Sequence, residues 1–169
     1  MAITLYDATV TSFAQTLGAM KSFLAFSQKH GIDTVEIVDA RLIGDMLPFR
    51  YQVQAAVGHS VDALAACKTG IFDPPHGTPN ADYAALQGEV DAALARLGEF
   101  KPAEINALEG KDVAFRLGER SMPFTVENFL LSFSLPNFHF HCTTAYDILR
   151  SKGVPLGKRN YLGAVRMKT

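Results

Sequence analysis

Hydrophobic residues recur at helical spacing through most of the chain and predict four long helices. The first is predicted from about Leu5 to His30. Its apolar positions are Phe13, Leu17, Met20 and Leu24. Apolar side chains three and four positions apart share one face of an α-helix, so they predict a face buried against other helices. Gly31 predicts the end of this helix, because glycine adopts the left-handed C-cap conformation without strain.

The second and third predicted helices are separated by a long connection. Pro48 opens the second helix, at a position where its missing N–H costs nothing, and Gly70 ends it. The third helix is predicted over residues 81–100, with Asn80 as its N-cap. Between them, "IFDPPHGTPN" is rich in proline and glycine and predicts a loop of about ten residues. This length favours a crossover rather than a tight turn between antiparallel helices.

Two shorter elements are predicted between the long helices. Residues 33–42 are predicted to form a connecting helix with Asp33 as its N-cap. Before the last long helix, "KDVAFRLGERSMPFT" changes to a period of two, which is typical of a small β-hairpin with its turn at "GER". The sequence therefore predicts an all-α fold class, a helical bundle with a short hairpin insertion.

The last predicted helix is apolar on nearly all sides. It is predicted to begin after Thr125 as its cap and to end at Gly153. Pro136 lies in its middle, where it removes one backbone hydrogen bond and clashes with the carbonyl of Ser132, so we expect a kink just upstream. The apolar excess on the first and last helices also predicts a homodimer, because unpaired apolar faces of that size are rare on monomers.

The composition favours one soluble domain over residues 1–169. The chain is 48% hydrophobic and 20% charged, as is ordinary for globular proteins. A net charge of −1 without a long basic run argues against binding to nucleic acid or to an anionic membrane. No stretch approaches the roughly 20 apolar residues of a membrane-spanning helix. Cys67 and Cys142 are predicted to be free thiols of a cytoplasmic protein, since the N-terminus shows no export signal.

Candidate chemistry concentrates in "LPNFHFHCTTAY", residues 135–146. His139 and His141 are two positions apart, about 200° around a helix, so they cannot both face one metal ion from regular α-helical geometry. His139 and Cys142 have a workable ligand spacing, although a buried core cysteine is the commoner interpretation. On the second helix, His59 has small neighbours that leave room for a pocket. The alternative is a histidine that bonds a neighbouring side chain.

The last forty residues carry a family resemblance. "FTVENFLLSFSLPNFHFHCTTAYDILRSKGVPLGKRNYLG" resembles the signature of a bacterial family of unknown function, and "DMLPFRYQVQAA" is similar to the opening of that family's second helix. The family is grouped with the DinB/YfiT-like superfamily of four-helix bundles. The resemblance implies an up-down-down-up topology, in which the long connection lets helices two and three run parallel.

The resemblance also implies a metal site. Members of the superfamily typically hold a divalent metal, such as Zn, Ni or Fe, with one histidine from helix two and two histidines spaced HxxxH on helix four. Carried onto this sequence, His59 and His141 match two of the ligands, whereas the third position falls on Ala145, which cannot bind a metal. His139 could replace the third ligand only if Pro136 distorts the helix locally.

Two functions follow as hypotheses. The first is a bundle that has lost the metal and binds a small molecule between helices two and four, in a polar pocket lined by Gln52, His59, His141 and Tyr146. The alternative is a divalent-metal-dependent transferase or hydrolase. In it, His59 and His141, with His139 or Asp62, would hold an ion that activates water or a thiol. The chain has no GxSxG, P-loop, GxGxxG or HExxH motif that would indicate another class of enzyme.

Overall fold

Helices and one small sheet make up the computed structural model, which describes residues 2–74 and 77–168. The helices are α1 (Leu5–Ala8), α2 (Val10–Lys29), α3 (Phe49–Val57), α4 (Ala63–Thr69), α5 (Tyr83–Glu99), α6 (Pro102–Asn106), α7 (Val126–Asn128), α8 (Leu135–Ser151) and α9 (Lys158–Leu162). A π-helical segment, Gly58–Asp62, joins α3 to α4, and a second one, Phe129–Ser134, joins α7 to α8. The predicted helices two and four are therefore continuous, each with a π-helical segment inside it.

The four long helical units pack in a ring around the core. Helix α2 packs against α5, α5 against α3, α3 against α8, and α8 against α2. The apolar stripe predicted for the first helix is buried here, with Phe13, Leu17, Met20 and Leu24 all fully enclosed. This ring makes α3 and α8 direct neighbours, so side chains on their facing sides meet.

The sheet has three strands, β1 (Ile71–Phe72), β2 (Asp112–Leu117) and β3 (Arg120–Thr125), in the order β1-β2-β3. Strands β2 and β3 are antiparallel, with Val113 opposite Phe124, and β1 runs parallel to β2. The two residues of β1 were predicted to be loop, and they become a strand only because β2 offers them a partner. Residues 75 and 76 of the same predicted loop lie outside the described residues.

Two local predictions are wrong. The connecting helix predicted over residues 33–42 is only one 3₁₀ turn, Ile37–Asp39. The N-cap of α5 is Asp82, whose carboxylate accepts from the backbone N–H of Ala85 at 2.8 Å, and not Asn80. Asn80 instead has a positive φ of 61°, the left-handed conformation that asparagine tolerates in turns.

The predominantly helical character of the fold and its small sheet are confirmed. No helix within residues 2–74 and 77–168 is long and apolar enough to cross a bilayer.

Candidate functional site

The two π-helical segments meet at His59. His59 lies in the segment Gly58–Asp62, and Ser134 is the last residue of Phe129–Ser134. The fully buried hydroxyl of Ser134 donates to the backbone carbonyl of His59 at 2.6 Å. Segments of π-helix are rare and frequently occur at functional sites. The hydrogen bond fixes helix four against helix two at this level of the bundle.

The π-helical segment Phe129–Ser134 lies directly upstream of Pro136, where the sequence predicted a kink. Nearby side chains bond to the backbone carbonyls of this region. The Asn137 amide donates to the carbonyl of Phe133 at 2.7 Å, and the Ser132 hydroxyl donates to the carbonyl of Asn128. A proline without an N–H is therefore accommodated by a wider helical winding and by local side-chain donors.

His59 and His141 face each other across the seam between helices two and four. Their ring centroids are 5.7 Å apart, and the ring planes are nearly parallel, at 15°. The His59 side chain is almost completely buried, with 6% of the residue exposed. Its Nδ1 atom is enclosed and has no hydrogen-bond partner among the described residues. Buried polar atoms nearly always have a partner, so this nitrogen points to one that the protein itself does not supply.

A buried glutamine on α3 holds the His141 ring. Gln52 Oε1 lies 2.8 Å from His141 Nδ1, and Gln52 Nε2 donates to the backbone carbonyl of Leu47 at 2.8 Å. Gln52 is only 2% exposed, so its amide has little freedom to rotate. Tyr51 packs edge-on against the His141 ring, with the centroids 5.9 Å apart. The ring of His141 is therefore fixed in both position and orientation.

Phenylalanine rings surround His59 on the side of the sheet. Phe72 of β1 and Phe133 of the second π-helical segment lie 5.5 and 5.8 Å from the His59 ring, centroid to centroid. Phe115 of β2 in turn contacts both phenylalanines. The sheet thus covers His59 with apolar rings and keeps water from this side of the site.

Burial makes both histidines poor bases. Burial, with a smaller contribution from repulsion by His141, lowers the pKa of His59 to about 4. Burial also lowers the pKa of His141 to about 4. Loss of water disfavours the charged imidazolium, so both rings are neutral near pH 7. A neutral imidazole has one N–H donor and one nitrogen lone pair, and it provides no positive charge for an anion.

The other predicted site residues lie away from this pair. His139 Nδ1 is 3.4 Å from the hydroxyl of Tyr161 on α9. The ring of Tyr146 also contacts Tyr161, and on its other side it contacts Phe23 of α2. Asp62 is half-exposed and pairs with Arg96 of α5 at 2.8 Å. Of the predicted residues, Gln52, His59 and His141 are the three that the fold brings together.

The donor set at this position does not fit the metal centre that the resemblance implies. Nowhere in the described part of the chain do three His, Cys, Asp or Glu side chains come together as a metal-binding group. Two neutral imidazoles are present, and Ala145, which is fully buried, stands where the third ligand is expected. A catalytic metal centre normally has three protein ligands and an open position. The assignment of His59, His141 and His139 as ligands stays a prediction.

Several open cavities lie elsewhere on the surface of the described residues. One, of about 440 Å³, is lined by residues including Asp39, Arg50 and Tyr83, and another, of about 240 Å³, by residues including His30 and Lys152. Neither is lined by a member of the histidine pair. Cavity size therefore favours a ligand site away from the histidines, whereas the unpartnered nitrogen of His59 favours a site at the histidines. An unsatisfied buried polar atom has an energetic cost that a bound group would relieve, whereas an open surface cavity has none.

Ser134 and Leu47 are site residues that sequence reasoning missed. The Ser134 hydroxyl bonds to the backbone carbonyl of His59, and the backbone carbonyl of Leu47 accepts from Gln52. Because both contacts involve backbone atoms, no spacing of residue types in the sequence indicates them. The one available signal was the position of Ser134 two residues before Pro136, where irregular helix exposes backbone groups.

Known proteins support the fold and the family. The family model described as "Domain of unknown function (DUF1993)" matches residues 5–162. Among solved structures, that of a DinB family member protein from Shewanella denitrificans is similar, with 28% sequence identity and a TM-score of 0.75 over 98% of this chain and 95% of that chain. No curated protein matches the sequence. The fold of this chain is similar to that of the DinB family member. Since the family model covers nearly the whole chain, this protein belongs to the DUF1993 family.

Proposed function

We propose that this protein binds a small molecule between helices two and four, at the site formed by Gln52, His59 and His141. The unpartnered, buried Nδ1 atom of His59 carries the proposal. Leaving such an atom without a partner costs roughly 1–3 kcal/mol, which a bound molecule recovers when it forms the missing hydrogen bond. Phenylalanine rings and the fixed His141 ring give the molecule an apolar wall and an oriented polar group, the usual composition of a ligand site.

NMR of the imidazole nitrogens tests this proposal. Protein labelled with ¹⁵N is titrated with a library of small amides and alcohols, and the ring signals of His59 and His141 are followed. We expect at least one compound to shift both sets of signals together and to lose affinity in a His59→Phe variant, which keeps an aromatic ring but has no nitrogen. If no compound moves either ring, the proposed site does not exist.

A divalent-metal-dependent transferase or hydrolase is the second candidate, and membership of a family with a DinB-like neighbour favours it. In that case His59 and His141 would hold the ion, which would activate water or a thiol. The missing third ligand places this candidate second.

We also propose the up-down-down-up order for the four helical units. The long connection between α4 and α5 and the packing of α3 beside both α5 and α8 support it.

We propose in addition that two copies of the chain form a dimer through helix four. Leu131 and Phe140 of this helix are 43% and 54% exposed, which is high for large apolar side chains. Light scattering after size exclusion is expected to give the mass of a dimer for the wild type and of a monomer for Phe140→Ser. Leu117→Ser, on the exposed part of β2, is expected to leave the dimer intact. A monomeric wild type contradicts this proposal.

A further inference from the structure

Gln52 determines which nitrogen of His141 carries the proton. Its Nε2 group donates to the carbonyl of Leu47, so its Oε1 atom is the one that faces His141. The opposite orientation of the amide would place two oxygen atoms, Oε1 and the carbonyl of Leu47, against each other. Since Oε1 can only accept, the Nδ1 atom of His141 must donate, and it therefore carries the hydrogen.

The consequence lies at the other nitrogen of the same ring. A neutral imidazole with its hydrogen on Nδ1 has a lone pair on Nε2. His141 therefore has a free hydrogen-bond acceptor at Nε2. No Lys or Arg forms a hydrogen bond or an ion pair with His59, Gln52 or His141 in the described part of the chain. The acceptor at Nε2 of His141 thus favours a molecule that donates a hydrogen bond, and none of these three residues is paired with a described cation that would attract negative charge.

We infer that Gln52 is a positioning residue that holds His141 in the Nδ1–H form, and that the site therefore selects an uncharged molecule with an N–H or O–H donor over an anion of the same size. Primary amides, ureas and alcohols belong to this class, whereas carboxylates and phosphates do not. This inference rests on the proposed binding function and specifies its ligand class.

Long-range ¹⁵N–¹H NMR measures directly which ring nitrogen of His141 carries the hydrogen, because protonated and unprotonated imidazole nitrogens have very different ¹⁵N shifts. At pH 7 we expect His141 to be almost entirely in the Nδ1–H form. In Gln52→Leu, which removes the acceptor but keeps the apolar stem, we expect a mixture of the two neutral forms. A wild type with the hydrogen on Nε2 overturns the inference, whatever binds to the site.

Gln54 provides a matched control on the same helix. It is also a buried glutamine, 6% exposed, but its amide donates to Thr78 and to Glu89 and not to a histidine. We expect Gln54→Leu to affect stability as Gln52→Leu does and to leave the His141 spectrum unchanged. If both variants alter His141 equally, Gln52 has only a structural role.

Acetamide and acetate test the ligand class, because the two molecules have nearly the same shape and differ in charge and in their N–H donor. We expect acetamide to shift the His141 signals and acetate at the same concentration to leave them unchanged. Gln52→Leu should weaken acetamide binding by the factor by which the Nδ1–H fraction of His141 falls, about twofold for an equal mixture of the two neutral forms. Binding of acetate in preference to acetamide overturns the ligand class but leaves the proposed site standing, whereas no response to either probe contradicts both.

Discussion

Acidification from pH 7 to pH 4 is expected to destabilise this protein through His59 and His141. Burial lowers the pKa of each ring from 6.5 in the unfolded chain to about 4 in the folded protein. Between these two values the unfolded state binds more protons, so the free energy of unfolding falls as the pH falls. Above pH 6.5 neither state is protonated at these rings, and below pH 4 both states are. At 1.36 kcal/mol per pKa unit, each ring costs on the order of 3 kcal/mol by pH 4.

Urea unfolding at several pH values between 7 and 4 measures this loss. The double variant His59→Gln/His141→Gln, which does not titrate, is expected to have a much smaller slope of stability against pH in this range. Carboxylates such as Glu104, whose pKa Lys68 lowers, contribute equally to both proteins and cancel in the comparison. A double variant that keeps the full slope of the wild type shows that the two rings are not buried and neutral.

Replacing Phe129 with alanine is expected to cost about 3–5 kcal/mol, the range for a large aromatic side chain removed from a core. Phe129 is completely buried in the second π-helical segment, and its ring contacts Phe72, Phe124 and Phe133 at centroid distances of 5.3, 5.9 and 5.7 Å. It therefore joins helix four to the first and third strands of the sheet. The change leaves a cavity where the sheet covers the site.

The same variant has a second expected effect at the histidines. Phe72 and Phe133 shield His59 from water, and both lose a ring contact when Phe129 is removed. We therefore expect the pKa of His59 to rise toward its ordinary value, as NMR titration can measure. Leu117→Ala, at a side chain that is 57% exposed on β2, provides the control and should change stability by less than about 1 kcal/mol. A Phe129→Ala protein as stable as this control would show that the aromatic cluster does not hold the sheet.

The sequence predicted the long helices well, because their signals are local. The stripe from Phe13 to Leu24 is buried as predicted, and Gly31, Gly70 and Gly153 all adopt the positive φ of a helix C-cap. Strand β1 was missed for the opposite reason. Its two residues have no pattern of their own, and they become a strand only through β2, some forty residues later in the chain.

The site was predicted in part. The spacing alone predicted that His139 and His141 lie on different sides of their helix. In the structure they contact different helices, α9 and α3. The pairing of His59 with His141 came from the family resemblance, since periodicity does not reveal which two helices are neighbours. The hydrogen bond to the Leu47 carbonyl that orients Gln52 involves a backbone atom, which no residue pattern could indicate.

The metal content of the untagged protein shows whether the His59–His141 site is without a resident metal, as the proposed binding of a small molecule requires. Elemental analysis is made on the wild type and on His141→Ala, both purified without a histidine tag or chelator. We expect far less than one divalent ion per chain in the wild type and no change in the variant. One zinc, nickel or iron ion per chain that is lost in His141→Ala would contradict this expectation and establish the metal-dependent alternative.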